Sequence, residues 1–206
     1  MADESGHWDV ELFRREGHRM VEWIADYIDG GSREHPVLSK VQPGEVSAQL
    51  PTQMPATAED PEAVWQDFLE IILPGVTHWN HPRFFAYFPA TNSYPSILGE
   101  LLSAGLGVNA MLWQTSPAAT ELEQRMMVWL ADLLGLPAGF HGCIQDTAST
   151  ATLTALICAR ERATDHAGNR TGPEATRGLR VYASREAHSS VVKGVRVAGF
   201  GEVWSK

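Results

Sequence analysis

Proline placement divides this chain before any other feature does. Pro36, Pro43, Pro51, Pro55 and Pro61 all fall between His35 and Pro61. A proline inside a helix or a central strand removes a backbone donor, and in a helix it also clashes with the preceding turn. That stretch therefore reads as an ordered linker draped over another element, with little core of its own. Ahead of it, Val10, Phe13, Met20, Val21, Ile24 and Ile28 recur at helical spacing from Asp9 to Asp29, and Gly30-Gly31 ends the pattern.

Beyond the linker, Ala63 to Leu73 predicts a second helix, stopped by Pro74-Gly75. An aromatic segment follows from Thr77 to Pro95, with Trp79, Phe84, Phe85, Tyr87, Phe88 and Tyr94 set between prolines. Helical spacing returns at Ile97, Leu101 and Leu102. It returns again from Ala118 to Leu134, where Leu122, Met126, Trp129, Leu130 and Leu133 share one face. Cys143 to Gln145 predicts a short strand leading into a helix from about Ser149 to Ala163. Arg180 to Ser184 predicts another strand, and His188 to Val197 a helix. Alternating strand and helix in the last third implies an α/β sheet.

The 206 residues fit one domain, or one domain with an arm. A net charge of -9 argues against a sequence-independent grip on nucleic acid or an anionic membrane. Apolar runs such as Phe68 to Leu73 are too short to span a bilayer, and the first residues lack the basic start and apolar run of a secretory signal. The two cysteines, Cys143 and Cys158, each sit in an apolar stretch. Structural thiols in a cytoplasmic protein are the expectation.

Several motifs carry chemistry in other settings. Gly105-Leu106-Gly107-Val108-Asn109-Ala110 matches the formal Gly-x-Gly-x-x-Ala pattern. A dinucleotide site needs a strand before that pattern and a helix opening from it, whereas here a helical pattern precedes it. His78 and His81 are three apart, but a zinc site needs three or four convergent ligands. They read as hydrogen-bonding histidines in an aromatic loop, and no metal is expected. Asp146-Thr147-Ala148-Ser149-Thr150 joins the first strand to a helix through small hydroxyl-bearing residues. Free N–H groups there suit a phosphate, and the same residue types suit a plain helix cap, which spacing alone favours. The aromatic segment is open between core and pocket wall.

Six stretches together resemble the pyridoxal-phosphate-dependent decarboxylases of aromatic L-amino acids (group II decarboxylases). They are 74–79 (Pro-Gly-Val-Thr-His-Trp), 84–89 (Phe-Phe-Ala-Tyr-Phe-Pro), 93–95 (Ser-Tyr-Pro), 113–123 (Trp-Gln-Thr-Ser-Pro-Ala-Ala-Thr-Glu-Leu-Glu), 144–149 (Ile-Gln-Asp-Thr-Ala-Ser) and 187–190 (Ala-His-Ser-Ser). They stand in family order across almost the whole chain. The resemblance implies a fold-type-I architecture, with a helical amino-terminal arm and linker over residues 1–75 serving dimerisation. Residues 76–206 would be the first, incomplete part of a mostly parallel-sheet, cofactor-binding large domain.

It also implies pyridoxal 5'-phosphate as cofactor, with Ala148 and Ser149 at the phosphate and Thr147 beside them. His188 falls on the histidine that stacks over the pyridine ring, the one catalytic assignment in this chain. Trp79, Tyr87, Phe88 and Pro89 fall on the wall that receives the substrate's aromatic side chain. Asn109 and Met111 fall where the family reaches into the neighbouring subunit's pocket. Asp146, where several relatives have glycine, and Ala90, where some have threonine, depart from the pattern, as do Asn109 and Met111 themselves.

Lys40, Lys193 and Lys206 are the only lysines, and none stands in the family's His-Lys context. The expected partners are therefore a carboxy-terminal portion bringing the Schiff-base lysine, a second subunit of a homodimer and an aromatic amino acid. The implied reaction is decarboxylation to the amine, and the chain alone is expected to be inactive. Two rivals are a non-catalytic dimerisation or regulatory module and an aromatic aldehyde synthase on the same scaffold. Because the family's first two large-domain strands are not neighbours, the predicted strands are expected to lack most of their partners within this chain.

Overall fold

A computed structural model of the chain describes residues 8–88, 92–201 and 204–205. Two compact units result, Met1–Gly107 and Val108–Lys206.

In the first unit, helix α1 spans Val10–Ile28, and its N-cap Asp9 accepts a hydrogen bond from the Leu12 N–H at 2.6 Å. It buries Leu12 and the carboxylate of Glu16. That buried charge is answered by Arg15 at 2.9 Å and Arg19 at 3.5 Å. Arg19 also makes a forked contact with Glu62, at 2.6 and 3.1 Å, and lies 4.6 Å over the Trp65 ring. The Arg19 hydrogen bond holds the Glu62 carboxyl down to about 2.

The linker carries only the short helix α2, Glu45–Gln49. The Ser39 hydroxyl donates to Pro74 O, and Val37 O accepts from the His78 N–H, so the linker lies over the segment near residues 74–78, as expected. Helix α3, Pro61–Asp67, starts at the Asp60 cap with Pro61 in its first turn. The predicted second helix is thus broken: a wider π turn covers Phe68–Ile72 and a tight turn Leu73–Gly75. Helix α4, Tyr94–Leu106, opens with a reciprocal Ser93–Ser96 capping box and closes at Gly107, whose φ is +60°. The Gly-x-Gly-x-x-Ala pattern is therefore the end of a helix, not the turn between a strand and a helix.

In the second unit, helix α5 spans Pro117–Leu133 behind the Ser116 cap, and its predicted apolar face is present but open to solvent. Helix α6 spans Ala148–Ala163, α7 Ala167–Thr171 and α8 Ser189–Val197. Two expectations need correction. Cys143 to Gln145 is irregular rather than a strand, since the Ile144 N–H is taken by the Glu123 carboxylate at 2.6 Å instead of a ladder partner. The strand expected over Arg180 to Ser184 shortens to β1, Tyr182–Ala183. It pairs in parallel with β2, Trp204–Ser205, so α8 is the crossover of a single β-α-β unit. Among the described residues β2 is the one strand paired with β1.

Helix α8 packs on α6 through Gly194. A Cβ there would stand 2.9 Å from Leu156 Cδ1 and 3.7 Å from the Leu153 Cα, while Arg160 donates to the Ala198 carbonyl at 2.8 Å. These contacts advance in the same sense along both helices, so α6 and α8 run in the same direction. Val195 and Ala198 are buried on this seam.

The seam makes a prediction. Gly194→Ala should be near neutral, because Leu156 can rotate and alanine favours the helix by about 1 kcal/mol. Gly194→Leu should cost about 1–3 kcal/mol through overpacking. Denaturant midpoints of the two variants will check this, and equal midpoints would contradict it.

Candidate functional site

The second unit gathers the residues expected at the phosphate. Thr147 is the N-cap of α6, with φ -146° and ψ 160°, and its hydroxyl oxygen accepts from the Thr150 N–H at 3.2 Å. Ala148 and Ser149 form the first turn, where backbone N–H groups have no partner within the helix. Both residues are small and exposed. Residue 188 is the N-cap of α8. His188 Nδ1 accepts from the Ser190 N–H at 3.2 Å and meets the Ser190 hydroxyl at 2.9 Å.

That cap role gave no sequence signal, because histidine is not a usual cap. It settles the tautomer. A backbone N–H can only donate, so the Nδ1 of a neutral His188 is the acceptor and its proton sits on Nε2. The ring is thus held by its own helix start, with the Nε2–H left over.

Both helix starts lie at one end of the pair. From Leu153 back to Ala148 is five residues, and from Gly194 back to Ser189 is also five. At about 1.5 Å per residue the two starts stand at similar height. The positive ends of two parallel helices therefore point the same way. Asn109 and Met111 stand in an exposed loop of this unit, where the Asn109 side chain accepts from the Met111 N–H at 3.1 Å.

The first unit holds the aromatic segment. Trp79 stacks on Tyr87, with centroids 5.7 Å apart and planes 18° apart, and leans on the buried Phe84 at 4.8 Å. Tyr87 has a left-handed backbone, φ +56°. Phe88 is 99% exposed and joins no ring contact, so the structure does not bring it to the Trp79–Tyr87 pair. Pro89 and Ala90 lie outside the described residues.

Beneath this segment His78 is 1% exposed. Its Nδ1 is 2.7 Å from the Tyr27 hydroxyl, and its ring stacks on His35 at 4.5 Å and 9°. Burial, and then the neighbouring His35 and His81, push its pKa below the usual histidine range. Burial likewise raises Tyr27. His81 accepts from the Arg83 N–H at 2.9 Å. Both histidines are hydrogen-bonding members of an aromatic loop, as the sequence indicated. Tyr27 and His35 were not foreseen as their partners.

Comparison with known proteins gives the family. The profile described as the pyridoxal-dependent decarboxylase conserved domain matches residues 43–204. The chain is 45% identical over 197 residues to phenylacetaldehyde synthase of Arabidopsis thaliana, covering 93% of the chain and 39% of that protein. It is 43% identical over 200 residues to aromatic-L-amino-acid decarboxylase of Bos taurus, covering 91% and 41%. Among solved structures, tryptophan decarboxylase of Catharanthus roseus in complex with L-tryptophan superposes with a TM-score of 0.84 at 40% identity, covering 94% of this chain and 42% of that one. The chain thus spans about two fifths of the length of these relatives. It belongs to the pyridoxal-dependent decarboxylase family.

Proposed function

We propose that this chain contributes to a pyridoxal-phosphate-dependent carboxy-lyase that converts an aromatic L-amino acid to its amine and carbon dioxide. One observation carries the reading: two parallel helices present the Ala148–Ser149 turn and the His188 ring at the same end. The donor set fits the group, because open first-turn N–H donors, the Ser149 hydroxyl and a helix's positive end match the needs of a phosphate dianion.

On this reading, Ala148 and Ser149 bind the phosphate while Thr147 holds the turn open by capping it. His188 orients the cofactor ring with its flat face, and its Nε2–H is a hydrogen-bond donor fixed in direction by the Ser190 bond. Trp79 and Tyr87 receive the aromatic side chain of the substrate. Pyridoxal phosphate, when bound, supplies the electron sink that takes up the pair left as carbon dioxide departs. Residues 1–75 serve as arm and linker, and residues 76–206 begin the cofactor-binding domain of a fold-type-I homodimer.

The 45% identity to a phenylacetaldehyde synthase favours a second reading, oxidative conversion to the aldehyde. Product analysis separates the two. The full-length protein, reconstituted with pyridoxal phosphate, is given tyrosine, tryptophan, phenylalanine and dihydroxyphenylalanine. Equimolar amine and carbon dioxide without oxygen uptake is the expected result. Aldehyde with oxygen uptake would establish the second reading, and no turnover of any of the four would overturn both.

A further inference from the structure

His78 takes no part in the site as described, yet it is among the largest fully buried side chains of the described residues. A buried imidazole needs a reason, because an apolar residue of similar size would fill the space without desolvating two ring nitrogens. Its contacts supply one. The Tyr27 hydroxyl meets Nδ1 at 2.7 Å, and Tyr27 itself is stacked on Trp23 at 5.2 Å and 12°, both on helix α1. His35, from the turn after α1, covers the other part of the ring.

The backbone then carries this fixed point into the aromatic segment. His78 N–H donates to Val37 O, His81 N–H to His78 O, and Phe84 N–H to His81 O. Phe84 leans on Trp79, and Trp79 stacks on Tyr87. We propose that His78 is a positioning residue: bolted to Tyr27 and stacked on His35, it fixes where Trp79 and Tyr87 present their rings. Its effect on substrate rests on the reading that those rings receive the aromatic side chain.

Burial favours neutral His78, whose Nδ1 can accept from the Tyr27 hydroxyl. The titratable groups that meet it are Tyr27, His35 and His81, and none is an anion at neutral pH. Once the segment is released, His78 returns to the ordinary value of about 6.5. With the pKa depressed in the closed state, the closed arrangement is fully favoured above that value. It is progressively lost as pH falls from there towards the lower, closed-state value.

Tyr27→Phe deletes only the bolt's hydroxyl and leaves the helix packing. In the full-length protein with pyridoxal phosphate bound, amide exchange across residues 77–88 should accelerate about tenfold or more. KM for the aromatic amino acid should rise several-fold, with kcat within about twofold. His78→Asn, whose amide oxygen can take the place of Nδ1, should keep the exchange protection and lose the weakening below about pH 6.5.

Exchange is read without substrate and decides the positioning claim alone. If Tyr27→Phe leaves exchange across 77–88 within twofold, or if His78→Asn keeps the wild-type pH profile, the proposal is overturned. Trp79→Ala, run beside them, tests the wall itself. If exchange rises in Tyr27→Phe but KM is unmoved in both Tyr27→Phe and Trp79→Ala, the positioning of the rings stands and the substrate-wall reading falls.

Discussion

In the His188→Asn enzyme, turnover is expected to fall by about a hundredfold or more, while thermal stability and bound cofactor stay close to those of the parent. Asparagine is among the preferred N-cap residues, so its side-chain oxygen can take over the Ser190 N–H and keep the start of α8 intact. What it cannot supply is a flat ring or an Nε2–H. His188→Ala removes both functions at once. It should show the same loss of turnover plus about 1 kcal/mol of stability from the missing cap. Comparing the two variants separates chemistry from folding. Cofactor absorbance should survive in both, because the phosphate grip proposed at α6 is untouched. Full turnover in His188→Asn would remove the residue from the chemistry.

Ser149→Asp should act in the opposite way, on cofactor retention rather than on the helix. A carboxylate in the first turn of α6 interacts well with the helix's positive end, so folding should be unharmed or slightly improved. Against a phosphate at about 5 Å, each unit of like charge costs about 3 kcal/mol at an effective dielectric near 20. That is a loss of at least about a hundredfold in affinity. A titration of the apoenzyme with pyridoxal phosphate, followed by absorbance, gives the number. Unchanged affinity would move the phosphate to another place in the protein.

Helices were largely legible in the sequence, because caps and apolar periodicity are local signals. Asp9 before α1, Ser116-Pro117 before α5 and Thr147 before α6 are caps whose residue types are visible without coordinates. The strands were not, since a strand is defined by its partner. The 143–145 segment gives its central donor to Glu123, and β1 survives only where β2 meets it. The short α7 was missed because Ala167–Thr171 carries no apolar stripe.

At the candidate site, residue types and family order singled out Thr147, Ala148, Ser149 and His188 as candidates. The cap made by His188 depends on a side-chain direction that no pattern encodes. Likewise, His78 could be read as a hydrogen-bonding loop residue, but its partner Tyr27 lies 51 positions away, where spacing rules have no reach.

Tyr87 remains, with its left-handed backbone. That conformation costs a residue bearing a Cβ roughly 1–2 kcal/mol, and stacking on an aromatic neighbour such as Trp79 returns about 0.5–1.5 kcal/mol. The two terms are of similar size, so the ring contact offsets most of what the backbone at Tyr87 costs. Trp79 is thus a counterweight to its neighbour's backbone: with its ring gone, as in Trp79→Ala, the cost stays and the offset goes.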